Sequence, residues 1–165
     1  TGVPVVPVAQ WGVQEVYPAW TPRGWRRLLP ALLGGAALLI DYGHSHGGSG
    51  DTLQAVRGHA RADPLAAPGD CDLTAHVDFA AIAAAARATG ARVYGPTPQA
   101  QLLARLGLAE RAAALVRAQP QAKQAQAEQA IASAYDRLVS PDQMGQLFKA
   151  LAIAHPDWIP AGFPT

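Results

Sequence analysis

Ala36-Ala-Leu-Leu-Ile-Asp-Tyr-Gly-His-Ser-His-Gly-Gly-Ser-Gly50 decides the fold. Its opening, Ala36 to Ile40, is a short unbroken apolar run, the pattern of a strand covered on both faces. Polar groups then arrive abruptly at Asp41-Tyr42-Gly43, and a glycine-rich loop follows. Upstream, Gly34-Gly35 stops a helix predicted after Pro22, in which Trp25, Leu28, Leu29, Leu32 and Leu33 recur at helical spacing. Arg23, Arg26 and Arg27 fall mainly on its other side. Helix, buried strand and polar loop, in that order, are the rhythm of an α/β protein.

Working outward, Pro4 and Pro7 make the first residues an extended lead-in, and Trp11 to Val16 read as a short strand that ends before Pro18. Residues 51–77 form a long excursion with short extended pieces, a length that often carries function. Asp78 then caps a helix that places Phe79, Ile82, Ala83 and Ala86 on one face and stops at Gly90. Arg92-Val-Tyr94 is a strand closed by Gly95-Pro96, and helices over 98–106 and 109–118 are divided near Gly107. Residues 121–138 carry only the sparse stripe Ile131, Tyr135 and Leu138, so that helix belongs on the surface. Ser140-Pro-Asp-Gln143 reads as a capped start to a short helical turn. Residues 146–154 are expected as a strand with Leu147, Lys149, Leu151 and Ile153 on one face and Phe148 with alanines on the other, although a helix also fits. The proline-punctuated residues 156–165 are expected to be an irregular tail on a core of 11–155, and no internal repeat or second domain is evident.

Composition narrows the functions. The 165 residues carry 13 Lys+Arg against 12 Asp+Glu, for a net charge of +1, so nothing electrostatic favours a nucleic-acid partner. Half the residues are apolar, which argues against a disordered chain. The single cysteine, Cys71, excludes an internal disulfide framework and is compatible with a reducing compartment. No apolar run approaches the roughly 20 residues of a membrane-spanning helix, so no membrane insertion is expected. No secretory leader is read at the start. The chain opens on Thr1, so processing, or a true beginning elsewhere, is expected.

Four places could carry chemistry. The glycines at 43, 47, 48 and 50 could cradle a phosphate, but neither Gly-Lys-Ser/Thr nor G-x-G-x-x-G follows, and a turn-forming loop is favoured. His44 and His46 with Asp41, and His59 and His76 downstream, raise a metal site. Without HExxH or a cysteine cluster the histidines read as solvated loop residues, with no metal. Asp72-Leu-Thr-Ala-His76-Val-Asp78 sets Thr74 and His76 just before a helix N-terminus, where a carboxylate or substrate could be held, or where Asp78 caps and His76 merely packs. Nucleophilic catalysis has little support. Ser45 and Ser49 lack the G-x-S-x-G elbow, and Cys71 lies between two aspartates. Glu15, beside apolar and aromatic residues, is either an edge-strand surface charge or a carboxylate able to pair a guanidinium in bidentate fashion.

Read in order, Glu15-Val-Tyr-Pro-Ala19, the stretch from Gly35 to Gly43, and Asp51-Thr-Leu-Gln-Ala-Val-Arg-Gly-His59 look specific. Asp63-Pro-Leu65, Asp72-Leu-Thr-Ala-His-Val-Asp-Phe79, Leu106-Gly107 and Met144-Gly-Gln-Leu-Phe-Lys149 continue the series. The series resembles the C-terminal half of the MidA family of S-adenosylmethionine-dependent methyltransferases, over about residues 15–153. Tyr17, Ala100 and Leu102 depart from its pattern and bear on the substrate pocket. The resemblance implies a Rossmann-like methyltransferase fold of which this chain supplies the later strands, the last as the antiparallel edge strand. It implies S-adenosyl-L-methionine as cofactor, bound mostly on a missing N-terminal half of the same protein. It also implies methylation of a protein arginine for respiratory complex I assembly, in the mitochondrial matrix of a eukaryote or the cytoplasm of a bacterium. On this reading Glu15 holds the guanidinium and His76 takes a proton, while Asp41, Tyr42, Gly43 and Asp78 shape the substrate side. Rival readings are a noncatalytic module that docks on a respiratory-complex subunit and, more weakly, a metal hydrolase built on His44, His46 and Asp41.

Overall fold

A computed structural model describes residues 36–46, 52–66 and 69–164. The strand and helix expected before residue 35, Glu15 with them, and the glycines at 47, 48 and 50 lie outside the described residues. The strands are β1 (Ala36–His44), β2 (Gln54–Arg57), β3 (Ala60–Ala62), β4 (Asp72–Thr74), β5 (Val77–Asp78), β6 (Arg92–Pro98) and β7 (Phe148–Ala154). The helices are α1 (Phe79–Arg87), α2 (Gln99–Arg105), α3 (Leu108–Arg117), α4 (Gln121–Val139) and α5 (Met144–Leu147).

A four-stranded sheet runs in the order β5-β1-β7-β6. β7 is antiparallel to both β1 and β6, and β5 is parallel to β1. The expectation that β7 would be an edge strand is therefore corrected: it is internal. Its sequence explains why, because the bulky Leu151 and Ile153 serve one face and Ala150, Ala152 and Ala154 the other, all buried. On the first face they pack with Leu39 against Phe79, Ile82, Ala83 and Ala86 of α1, the stripe read from the sequence. On the second face the alanines meet Tyr94, Leu102 of α2 and Phe163. Phe163 belongs to the segment read as an irregular tail. That segment has no helix or strand, yet it is tied down by Phe163 and by the Tyr94 hydroxyl, which donates to the Trp158 carbonyl at 3.1 Å.

Two local readings change. Gly95-Pro96 does not close β6; the strand passes through a register shift between Tyr94 and Thr97 and continues to Pro98. A bulge is where a proline, lacking an N–H, is tolerated inside a sheet. Ser140 begins the expected short turn, its carbonyl accepting from the Gln143 N–H at 3.1 Å, but its side chain does not cap a helix. Ser140 ends α4, its hydroxyl donating to the Asp136 carboxylate, and α5 starts only at Met144. Gly145 explains the tight passage, because a Cβ there would lie 2.0 Å from the Val139 carbonyl oxygen. The long α4 buries no residue, as its weak stripe implied.

The excursion over 51–77 contains a second sheet, ordered β3-β2-β4 and antiparallel throughout. Arg57 pairs with Ala60 across the two-residue loop Gly58-His59, whose φ angles are 55° and 64°. Both central residues at positive φ define a type I′ hairpin turn, which matches the twist of its strands. The Arg-Gly-His string thus marks a turn.

Candidate functional site

β1 runs from Ala36 through Asp41-Tyr42-Gly43 to His44, so His44, read as the first residue of a loop, is a strand residue. Successive strand side chains alternate between faces. Leu39, Asp41 and Gly43 therefore share the α1 face, while Tyr42 and His44 share the opposite one. At its carboxyl end β1 meets β5 in parallel, Gly43 opposite Val77 and His44 opposite Asp78. Gly43 is required by this meeting: a Cβ would lie 2.2 Å from the Val77 carbonyl oxygen and 2.9 Å from the Phe79 ring.

Asp78 works as the sequence predicts. Its Oδ1 accepts a hydrogen bond from the Ala81 N–H at 3.0 Å and caps α1. His76, two residues earlier, stands edge-on to Tyr42 with ring centroids 5.8 Å apart, and its N–H donates to Thr52 Oγ1 at 3.2 Å. Tyr42 meets Phe148 in a second edge contact at 5.5 Å. Tyr42 and Asp78 thus lie near the carboxyl ends of β1 and β5, the end of an open α/β sheet where ligands bind, and His76, just before β5, stands against Tyr42. Asp41 stands apart, on the α1 face. Its carboxyl is pushed above the ordinary range by burial, an effect partly countered by the Tyr42 N–H that donates to its Oδ1 at 2.8 Å. Its cross-strand neighbour is Lys149, whose ammonium burial pushes downward and which donates to the Gln146 carbonyl.

Sequence reasoning missed Thr52 and Phe148, and it set His44 aside as a solvated loop residue. The correction is that His44 is in β1, with Nδ1 buried 4.0 Å from Asp78 Oδ1. Continuing the period-two alternation from Ile40 through Tyr42 would have found it. Among the described residues no group of three or more His, Cys, Asp or Glu side chains is placed to hold a metal ion. No helix among them is long and apolar enough to cross a membrane.

A family profile described as "Putative S-adenosyl-L-methionine-dependent methyltransferase" matches residues 17–97. A COG1565 superfamily member from Burkholderia thailandensis, crystallised with S-adenosyl-homocysteine, is similar at 34% identity and a TM-score of 0.66 over 78% of this chain and 34% of that one. The chain belongs to this methyltransferase family, and its fold is the Rossmann-like one. Among curated relatives it is similar to the mitochondrial protein arginine methyltransferase NDUFAF7 of Mus musculus, 39% identical over 74% of this chain and 27% of that protein. The mitochondrial Drosophila melanogaster homolog is 40% identical over 73% of this chain and 26% of its own length. The chain thus spans about a quarter of the length of the curated relatives it matches.

Proposed function

We propose that this chain is the substrate-side portion of an S-adenosyl-L-methionine-dependent methyltransferase that methylates a protein arginine for respiratory complex I assembly. One observation carries the reading: Tyr42 and Asp78 lie near the carboxyl ends of β1 and β5 with His76 packed against Tyr42, in a fold shared with a relative crystallised with S-adenosyl-homocysteine. The described residues fit one wall of such a site. They offer aromatic edges and a buried polar nitrogen on His44, but no glycine-rich turn between strand and helix that would hold a nucleoside. The cofactor would supply an activated methyl group on sulfur. This chain's contribution is positioning, which can remove much of the barrier when the reacting atoms are held in line.

Glu15 pairs the guanidinium, His76, Tyr42 and Asp78 line its pocket, and Gly43 shapes that wall by letting β1 approach β5 closely. Asp41 backs that wall from the other face of the sheet. The remaining polypeptide of the same protein binds the cofactor and docks on β1. Support for that docking comes from the fraction of the relatives' length that this chain spans, and from β1 itself. Among the described residues β1 has no partner on its outer edge before Gly43, and Leu38 and Ile40 are 55% and 42% exposed. The protein works in the mitochondrial matrix if eukaryotic and in the cytoplasm if bacterial; the eukaryotic relatives are labelled mitochondrial.

Transfer of labelled methyl groups to arginine peptides by the full-length protein tests the reading. Glu15→Gln and His76→Ala are expected to lower kcat/KM by at least about tenfold, a loss of about 1.4 kcal/mol in transition-state binding. Unchanged values would remove both assignments.

A further inference from the structure

His44 is the one described side chain whose buried polar atom, Nδ1, has no hydrogen-bond partner among the described residues. Leaving such an atom unpaired costs about 1–3 kcal/mol, so its environment calls for an explanation. The nearest charged group is the Asp78 carboxylate, Oδ1 at 4.0 Å, directly across the parallel β1–β5 pair. That separation is longer than a hydrogen bond, and catalytic hydrogen bonds are often long before substrate binds and tighten afterwards. About 30% of the imidazole side chain stays exposed. With Nδ1 buried, Nε2 is the ring nitrogen left to meet a substrate. By strand alternation His44 lies on the same sheet face as Tyr42, which in turn touches His76. His76 differs: its contacts are the Tyr42 ring and a backbone bond to Thr52, and no carboxylate among the described residues lies within 4.0 Å of it.

Resting on the arginine-methyltransferase reading above, we propose that His44, oriented by Asp78, accepts the proton that the arginine guanidinium loses on methylation. In that step a nitrogen–carbon bond forms to the transferred methyl while the carbon–sulfur bond breaks, its electron pair leaving on sulfur. The substituted nitrogen sheds one proton to His44 Nε2. The resulting imidazolium holds its second proton on Nδ1, where the Asp78 carboxylate balances the charge. A carboxylate that fixes the tautomer and then stabilises the imidazolium is a general way to orient a histidine base. Asp78 therefore serves two structures at once, the cap of α1 and the orientation of His44. His76 is left to line the guanidinium pocket.

The test uses the full-length protein. His44→Gln is expected to lower kcat about 100-fold, the lower range for loss of a general base, with little change in KM for an arginine peptide or in affinity for S-adenosyl-homocysteine. Imidazole added to His44→Ala is expected to restore part of the rate, which a purely structural role would not allow. Independently of activity, nitrogen NMR of His44 is expected to show the neutral ring protonated on Nδ1 in the wild type. That preference is expected to weaken in Asp78→Ser, which keeps a capping hydroxyl but cannot reach the ring. An active wild type with an unimpaired His44→Gln would overturn the proposal alone. A wild type that binds S-adenosyl-homocysteine yet methylates no arginine would overturn the function reading and the proton-accepting role with it. A tautomer indifferent to Asp78 would overturn the pairing.

Discussion

β7 and β1 lie side by side and are built to different degrees. β7 has a partner on each edge and buried side chains on each face, all supplied by this chain. β1 shares one edge with β7, but among the described residues its other edge meets only the two residues of β5. Leu39 is buried under α1 while Leu38, the next residue back, is 55% exposed. The apolar start of β1, Ala36 to Ile40, with an edge that has no partner before Gly43 among the described residues, is what the proposed docking of further polypeptide rests on. The candidate site sits on β1, the less enclosed of the two strands among the described residues.

The sharpest way to break this contrast is to truncate both strands. Leu151→Ala removes a fully buried side chain from β7 and is expected to cost about 2–5 kcal/mol, as large-to-small changes in packed cores do. Leu38→Ala is expected to cost about 0.5 kcal/mol or less in this chain, the range of exposed substitutions. In the full-length protein the Leu38 cost is expected to rise toward that of Leu151. Urea unfolding of both forms checks this, and a Leu38→Ala cost that stays small in the longer protein would leave β1 without its proposed neighbour.

A second comparison is covalent geometry. Gly145 lets the turn after α4 pass the Val139 carbonyl before β7 begins. Gly145→Ala is expected to lose about 1–3 kcal/mol through overpacking, measured as a lower urea midpoint with an unchanged slope. Beside the site, Asp78→Ala removes the cap of α1, and its loss of stability is expected to be about 1 kcal/mol. A larger loss would show that Asp78 also holds β5 against β1.

The sequence made the strands and α1 legible for different reasons than it made the site legible. Periodicity is local, so the α1 stripe of Phe79, Ile82, Ala83 and Ala86 could be read directly, while Leu151 and Ile153 against alanines fitted a strand but left a helix open. Asp78 as a cap was likewise a local signal. Strand order is set by long-range pairing, and nothing in Phe148–Ala154 alone says that it lies between β1 and β6. Gly95-Pro96 looked like a terminator because its local chemistry is that of a turn, whereas the sheet absorbs it as a bulge. His44 was hidden by the glycines after it: composition turned loop-like at Gly43, while the backbone kept the strand for one residue more. Its relation to Asp78 depends on a parallel pairing across more than thirty residues, which no window of sequence displays.

The smallest expected effect concerns the other face of the same strand end. Burial raises the Asp41 carboxyl above its ordinary value of 3.8, and the Tyr42 N–H only partly offsets this. The folded protein therefore holds the proton more tightly than the unfolded chain does. Across the window between the unfolded and folded values the native state binds more protons, so stability falls as pH rises through it. Below 3.8 both states are protonated and the penalty is absent. Asp41→Asn keeps the shape and removes the titration, so its stability is expected to decline less than the wild type's as pH rises from below 3.8 through the carboxylate range. Urea midpoints collected across that range make the comparison. Curves that run parallel would mean that the α1 face of β1 is as open at Asp41 as the opposite face is at Leu38, and the contrast between finished and unfinished sides of the strand would end before it reached the site.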